Sequence, residues 1–500
     1  MTIFKSKKPQ RIQFNDLTLR DGQQSLAATR MTTKQMLKVL KMIGEAGYTA
    51  IELWGGATLD ACVRYLNEDP WDRLDAFRHT LGKSGNIRAL LRGQNLFAYQ
   101  PFPDDLVIAF IKEATRSGVN TMRIFDALND WRNLQMALIA TRAYGGTVEA
   151  AISYTISPVH TTGYFVSLAQ KFEEEGADQI AIKDMAGLLY PTVARELFKA
   201  LKSSINVPVV FHSHTSTGVA TLNAVLAMMY GIDAIDTCIT PFAGGTSHPP
   251  VEVLIAFAEV MGIEHDLNKR LILSIQKELF KLFTALREYI PLYGKAYQPF
   301  GFEDIDYQTI KEIVKLARRR DTHHLDQALM LMRGLLSTLK YPAYDDAIFT
   351  SQVPGGMISN LQSQLNNMGQ MDKLDEILEE IPRVRADVGY VPLVTPTSQI
   401  VGSQATFNVM FGRYQMMSNE FKMLLRGEFG KPPSPPNPDL VQQVAATGER
   451  IYHYRPAAYL EPILEDEISL PYVKTHRDVL LHHMLKQSAD TFLKAKYKIK

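Results

Sequence analysis

The stretch FVSLAQKFEEEGADQIAIKDMA, Phe165–Ala186, decides how the chain is read. Apolar residues recur at helical spacing up to a run of glutamates, Gly176 ends that pattern, and a short apolar run follows. A helix closed by a C-terminal glycine and followed at once by a buried strand is one half of a strand–helix repeat.

The same unit recurs outward in both directions. Strand-like runs stand at IQFNDLTL, TAIELWG, NIRALLRG, TMRIFDAL, VEAAISYT, QIAIKDMA, VPVVFHSH and AIDTCITP, about thirty residues apart, with helical patterns such as TKQMLKVLKMIGEAG and VARELFKALKSS between them. Eight such units in about 260 residues predict a (β/α)8 TIM barrel. A doubly wound sheet is the alternative, but it has fewer units and a glycine-rich first turn, and no G-x-G-x-x-G follows the first run.

Beyond Gly262 the repeat stops, and KRLILSIQKELFKLFTALREY and SNLQSQLNNMGQMDKLDEILEEIP read as helices. The expected organisation is a barrel over residues 1–290, a mainly helical domain over 291–430, and a proline-rich connector (GKPPSPPNP) with a helical tail over 431–500. In the tail, RDVLLHHMLKQSADTFLKAKYK reads as helical. Its adjacent His482 and His483 point about 100° apart and make a poor metal pair, which leaves a solvated face.

Composition narrows the class of function. The 500 residues carry a formal charge of +1 with 46% hydrophobic content, so neither nucleic acid nor an anionic membrane is indicated as partner. No apolar run is long enough to span a bilayer, and MTIFKSKKPQ has no signal-peptide core. Cys62 and Cys238 are the only cysteines, which argues against a disulfide framework or a cysteine zinc site. A cytoplasmic protein is expected.

In such barrels the chemistry gathers at the C-terminal ends of the strands. Those ends carry Arg20, Asp21, Gln24, Arg92, Gln94, Asp126, Lys183, Asp184, His212 and His214. Two readings stand for Lys183, which follows a buried run. It forms an ion pair with a carboxylate at the strand end, or its pKa falls and the neutral amine takes up carbon dioxide as a metal-ligating carbamate. His212 and His214 alternate on one strand and so share a face. With Asp21 and Lys183 they offer oxygen and imidazole ligands suited to zinc, with cobalt or manganese as alternatives. Taken singly, Asp21 reads equally as a helix cap and the H-x-H as two polar residues where a strand surfaces.

LRDGQQSLAATRM, ELWGGATLDACVRYLNEDPWDRL, LLRGQN, YTISPVHT, IKDMAGLLYP, FHSHTSTG and PLVTPTSQIVGSQA closely resemble the carboxyltransferase component of biotin-dependent enzymes. That group comprises pyruvate carboxylase, the oxaloacetate decarboxylase α-chain and the 5S subunit of transcarboxylase. The resemblance runs to about residue 430. It implies transfer of a carboxyl group between biotin on a separate carrier and pyruvate or oxaloacetate, through a metal-stabilised enolpyruvate. It implies metal ligands Asp21, His212, His214 and carbamylated Lys183, and a substrate-orienting Gln24 and Arg92, which Arg20 and Tyr99 join as substrate-binding candidates. Thr395 matches the threonine that exchanges a proton with biotin, while Ser398 and Gln399 match the biotin-binding positions beside it.

Two departures stand out. Gln23 replaces the histidine of the pyruvate carboxylase motif DAHQS, and Gln399 stands where pyruvate carboxylase has lysine, as in the decarboxylase and transcarboxylase branch. No A-M-K-M-like turn marks a biotin carrier, since Lys41-Met42 and Lys422-Met423 both fall in helical patterns. The carrier is therefore expected on another polypeptide or on a piece removed from this one. The resemblance also implies a homo-oligomer such as a dimer, and a place against the inner membrane where the complex is a sodium-pumping decarboxylase. The competing function is a metal-dependent lyase or condensing enzyme of the related LRDG barrel type, akin to HMG-CoA lyase or isopropylmalate synthase. IKDMAG and VTPTSQIVG speak against it. An inactive scaffold would have lost metal ligands, and none is lost.

Overall fold

The computed structural model describes residues 10–290, 298–319, 321–352, 361–362, 365–366, 369–464 and 469–499. Eight parallel strands close into a barrel, β8 pairing with β1: β1 Gln13–Asp16, β2 Ala50–Trp54, β3 Ile87–Leu91, β4 Thr121–Phe125, β5 Thr147–Ser153, β6 Gln179–Asp184, β7 Val209–Ser213 and β8 Ala234–Thr237. All eight expected runs are strands. In the first, the expected strand gives way after Asp16, and Thr18–Gly22 forms a π-helical turn.

The helices between strands follow their caps. Thr32 and Gln35 form a reciprocal capping box for Thr33–Glu45. The helix Thr162–Glu174 ends ahead of Gly176, whose φ of +93 is glycine's natural ground.

The barrel interior is charged where an aliphatic filling is usual. Glu52, Arg88, Arg123, Glu149 and Asp236 come one from each of β2, β3, β4, β5 and β8, and all are buried. Arg88 bridges Glu52 (3.1 Å), Glu149 (3.1 Å) and Asp236 (2.8 Å), while Arg123 pairs with Glu149 and Asp236. Each charge thus has partners on two sides, which a buried ion needs to offset its desolvation.

The barrel core continues through the helices Tyr307–Ala317 and Thr322–Thr338 and takes in Leu480, Leu481, Met484 and Ala489 from the tail. A second core joins Leu374–Asp387, Thr397–Phe411, Asn419–Leu425 and Pro438–Ala445. Part of the expected helix within Ser359–Pro382 lies outside the described residues, and Leu374–Asp387 covers its end.

The tail is helical. It forms two helices, His476–Leu485 and Gln487–Lys496, broken at Lys486, whose φ is +48. Arg477 fastens it to Asp75 and Glu113, and Lys496 to Asp69. No helix among the described residues is long and apolar enough to cross a membrane.

Candidate functional site at the barrel mouth

Asp21 sits in the π-helical turn after β1, a segment type frequent at functional sites. The neighbouring glycine is a packing necessity. A Cβ at Gly22 would lie 2.9 Å from both Cys238 Sγ and the Phe242 carbonyl, so only glycine lets this turn lie against the loop leaving β8. Arg20 holds the carboxylate from one side, with Nη2 2.8 Å from Asp21 Oδ2, and is itself tied to Glu52. Burial alone would raise the Asp21 pKa. The charge of Arg20 and the nearby His214 and His248 outweigh it and hold the group well below the usual carboxylate range.

Three imidazoles face this carboxylate. His212 Nδ1 lies 2.8 Å from Asp236 Oδ2, His214 Nδ1 2.6 Å from the Thr246 carbonyl, and His248 Nδ1 3.0 Å from the Ser213 carbonyl. With the Nδ1 hydrogen on these acceptors, each Nε2 is a lone-pair donor; His212 Nδ1 also lies 3.0 Å from the Arg123 guanidinium. The Nε2 atoms lie 3.9, 3.8 and 3.2 Å from Asp21 Oδ2, and those of His214 and His248 are buried without a hydrogen-bond partner. Burial pushes the His212 pKa well below its ordinary value, helped by Lys183 and His248, and pushes His214 down to about 3. Three imidazoles, a carboxylate and orphaned ring nitrogens in one small volume fit a divalent cation.

Lys183 is the penultimate residue of β6, beside this cluster and in register with His212 of β7. Its Nζ is 3.4 Å from His212 Nε2 and 5.6 Å from the Phe125 ring centre. Among the described residues no carboxylate pairs with it, so the ion-pair reading fails. Burial lowers its pKa to about 8, against a weaker opposing pull from Asp21.

The helical domain meets the barrel through Val394. Val394 shares an apolar cluster with Phe125, Ala151, Ala181, Val210 and Ala234 of β4–β8. Thr395 follows directly and is half-buried. The buried Arg385 anchors this segment by donating to the Val391 carbonyl (2.8 Å), the Ile156 carbonyl (2.9 Å) and Thr155 Oγ1 (2.8 Å).

Arg92 follows β3 and donates to the Phe97 and Ala98 carbonyls. Its guanidinium lies 5.3 Å from the Tyr99 ring centre, and among the described residues no carboxylate pairs with it. Gln24 accepts from Arg20 at 3.3 Å. Tyr99, Pro396, Gln399, His483 and Lys486 line a cavity of about 840 Å³ between the β3 loop, the helical domain and the tail, within the size range of small-molecule sites. Ser398 is buried beside it.

Other rim residues serve the loops. Gln94 donates to Asp104 and the Phe102 carbonyl, Asp126 accepts from the Leu128 and Asp130 amides, and Asp184 accepts from those of Leu188 and Leu189. The expected solvated pair in the tail is engaged: His482 Nδ1 lies 2.5 Å from Asp490, and His483 lines the cavity. Sequence reading missed His248 and Asp236. Asp236 was visible as one charge inside an apolar run, and His248 stands in the turn-rich GGTSHPP.

A family model described as a conserved carboxylase domain matches residues 348–500, and one described as HMGL-like matches residues 131–279. A pyruvate carboxylase subunit of Methanocaldococcus jannaschii is 41% identical over 97% of this chain and 78% of its own length. The methylmalonyl-CoA carboxyltransferase 5S subunit of Propionibacterium freudenreichii subsp. shermanii is 37% identical over 97% of this chain and 88% of its own. The solved carboxyl transferase domain of Rhizobium etli pyruvate carboxylase with pyruvate superposes with a TM-score of 0.78 at 26% identity, over 98% of this chain and 78% of that one.

Proposed function

This chain belongs to the carboxyltransferase components of biotin-dependent enzymes, and from that premise we propose that it moves a carboxyl group between biotin on a separate carrier and pyruvate, with oxaloacetate on the other side. Residues 1–290 supply the barrel and its metal site, residues 291–430 complete the biotin and substrate site, and residues 431–500 form connector and tail.

The observation that carries this reading is Val394. It shares one apolar cluster with residues of β4–β8, which ties the segment bearing Thr395 to the barrel that holds Lys183 and the imidazoles. Arg92, free of any carboxylate partner among the described residues, fixes the substrate carboxylate by paired hydrogen bonds, aided by Gln24 and Arg20. As pyruvate loses a methyl proton, the Thr395 hydroxyl passes a proton to biotin N1. The carboxyl group released from N1 joins the methyl carbon, so proton and carboxyl change places. Gln399, with Ser398 buried beside it, receives the biotin in the cavity, which Pro396 joins to Thr395 and whose wall Tyr99 shares with the substrate side.

Asp21, His212, His214 and carbamylated Lys183 hold the divalent ion, zinc before cobalt or manganese. Bound there, it would supply Lewis-acid stabilisation of enolate charge. The depressed pKa and lack of a counter-ion at Lys183 favour the neutral amine that carbamate formation requires. The two buried free cysteines suit a reducing cytoplasm, the resemblance supports a homodimer, and a sodium-pumping partner complex would hold the chain at the inner membrane.

The test is pyruvate formation from oxaloacetate by purified protein, with and without free biotin, beside Thr395→Ala. Biotin-stimulated turnover lost in the variant is expected. Turnover indifferent to both biotin and Thr395 would overturn the reading in favour of a plain lyase.

A further inference from the structure

The Asp21 cluster contains one imidazole more than the ligand set proposed above uses. His248 comes from the loop after β8, and its placement is built in detail. Gly244 and Gly245, both at positive φ, turn the loop, and the Gly244 amide donates to the His248 carbonyl at 2.9 Å. The Thr246 carbonyl in the same loop orients His214, while His248 Nδ1 is tethered to the Ser213 carbonyl between His212 and His214. The His248 ring centre stands 4.5 Å from that of His212 and 4.3 Å from that of His214. Its Nε2 is fully buried, has no hydrogen-bond partner among the described residues, and is the imidazole nitrogen nearest Asp21, at 3.2 Å.

These are the dimensions of a coordination polyhedron. Zinc ligands at ~2.0–2.1 Å stand roughly 3.3–3.4 Å apart along the edges of a tetrahedron. The Asp21-to-imidazole distances of 3.2, 3.8 and 3.9 Å bracket that edge, and one ligand atom from each of the four residues lies within 4.8 Å of every other. A purely supporting histidine would spend its second nitrogen on a partner. His248 instead spends Nδ1 on the backbone and aims a lone pair at the place where the other donors converge, the arrangement of a ligand.

We propose that His248 is a protein ligand of the divalent ion, so that Asp21, His212, His214 and His248 hold it whether or not Lys183 carries a carbamate. This rests on the metal reading above and extends it. Retention of the ion and carbamylation of Lys183 become separable, and Lys183 is left beside the ion as an amine that loading does not consume.

The test is zinc binding to the full chain in carbon-dioxide-free buffer, by chelator competition and zinc X-ray absorption, for wild type, His248→Ala, Lys183→Met and His212→Ala. Expected are three imidazoles around zinc in wild type and two in His248→Ala. Affinity should fall more than about 100-fold in His248→Ala, beyond the ~10–100-fold typical of a group that only supports a ligand. Lys183→Met should keep the wild-type stoichiometry. If His248→Ala does not fold, His248→Gln gives the same count. Two imidazoles in both wild type and variant, or loss of zinc from Lys183→Met as complete as from His212→Ala, would overturn the proposal. Zinc that binds no better to wild type than to His212→Ala would instead sink the underlying metal reading, and this one with it.

Discussion

His212 Nδ1 stands 2.8 Å from Asp236 Oδ2, and the same carboxylate is gripped by Arg123 while its other oxygen takes Arg88 at 2.8 Å. The imidazole at the mouth is thereby wired into the ion network that fills the barrel. Asp236→Asn should weaken metal binding about 10–100-fold and cost about 3–5 kcal/mol of stability, because two buried guanidinium groups lose a counter-charge. Chelator competition and denaturant unfolding read the two effects, and unchanged metal affinity would mean that Asp236 serves only the fold.

Lys183 has its ammonium pulled down to about 8 by burial, so near that pH about half of it is neutral. Carbon-13-labelled bicarbonate should give a carbamate signal that grows as pH rises through 8 and is absent from Lys183→Arg. The same spectrum from both proteins would show that the lysine stays unmodified.

Val394→Ala removes two methyl groups from the apolar cluster and should cost about 1–3 kcal/mol. Loosening this contact also displaces Thr395. Carboxyl transfer should then fall ~10–100-fold with metal content unchanged, since small misplacements of a reacting group are costly. Turnover within error of wild type would detach Thr395 from its assigned place.

His160 offers a dependence on acid away from the metal cluster. Burial, and then the charge of Arg385, lowers its pKa from 6.5 to about 3. Between those values the unfolded chain binds a proton that the folded chain refuses, so stability is lost as pH falls from 6.5 towards 3. His160→Gln should flatten that part of the profile by an amount on the order of a few kcal/mol. Parallel unfolding profiles for the two proteins over this window would rule His160 out as the source.

The strands could be read because each is a short apolar run bounded by glycine or polar residues, and β6 and β7 announced their mouth residues by carrying Lys183 and His212 one residue before their ends. The charged interior was equally visible: Glu52, Arg88, Arg123, Glu149 and Asp236 each interrupt an apolar run. A single charge, however, does not say that it will meet four others across a closed barrel. His248 was out of reach for a different reason. It lies in a loop, and only the fold returns that loop to Asp21, through the close approach that Gly22 permits. The break at Lys486 has no sequence signal, since neither glycine nor proline marks it; tertiary packing of both short helices onto the barrel offsets a lysine in the left-handed region.

The cavity beside Thr395 has walls from three regions far apart in the chain: Tyr99 from the β3 loop, Gln399 from the helical domain, and Met484 and Lys486 from the tail. Whatever occupies it touches all three at once, so occupancy and cohesion are a single equilibrium. A guest that fits acts as mortar between them, and a chain melted in its presence should come apart later and more nearly in one step than the same chain melted alone.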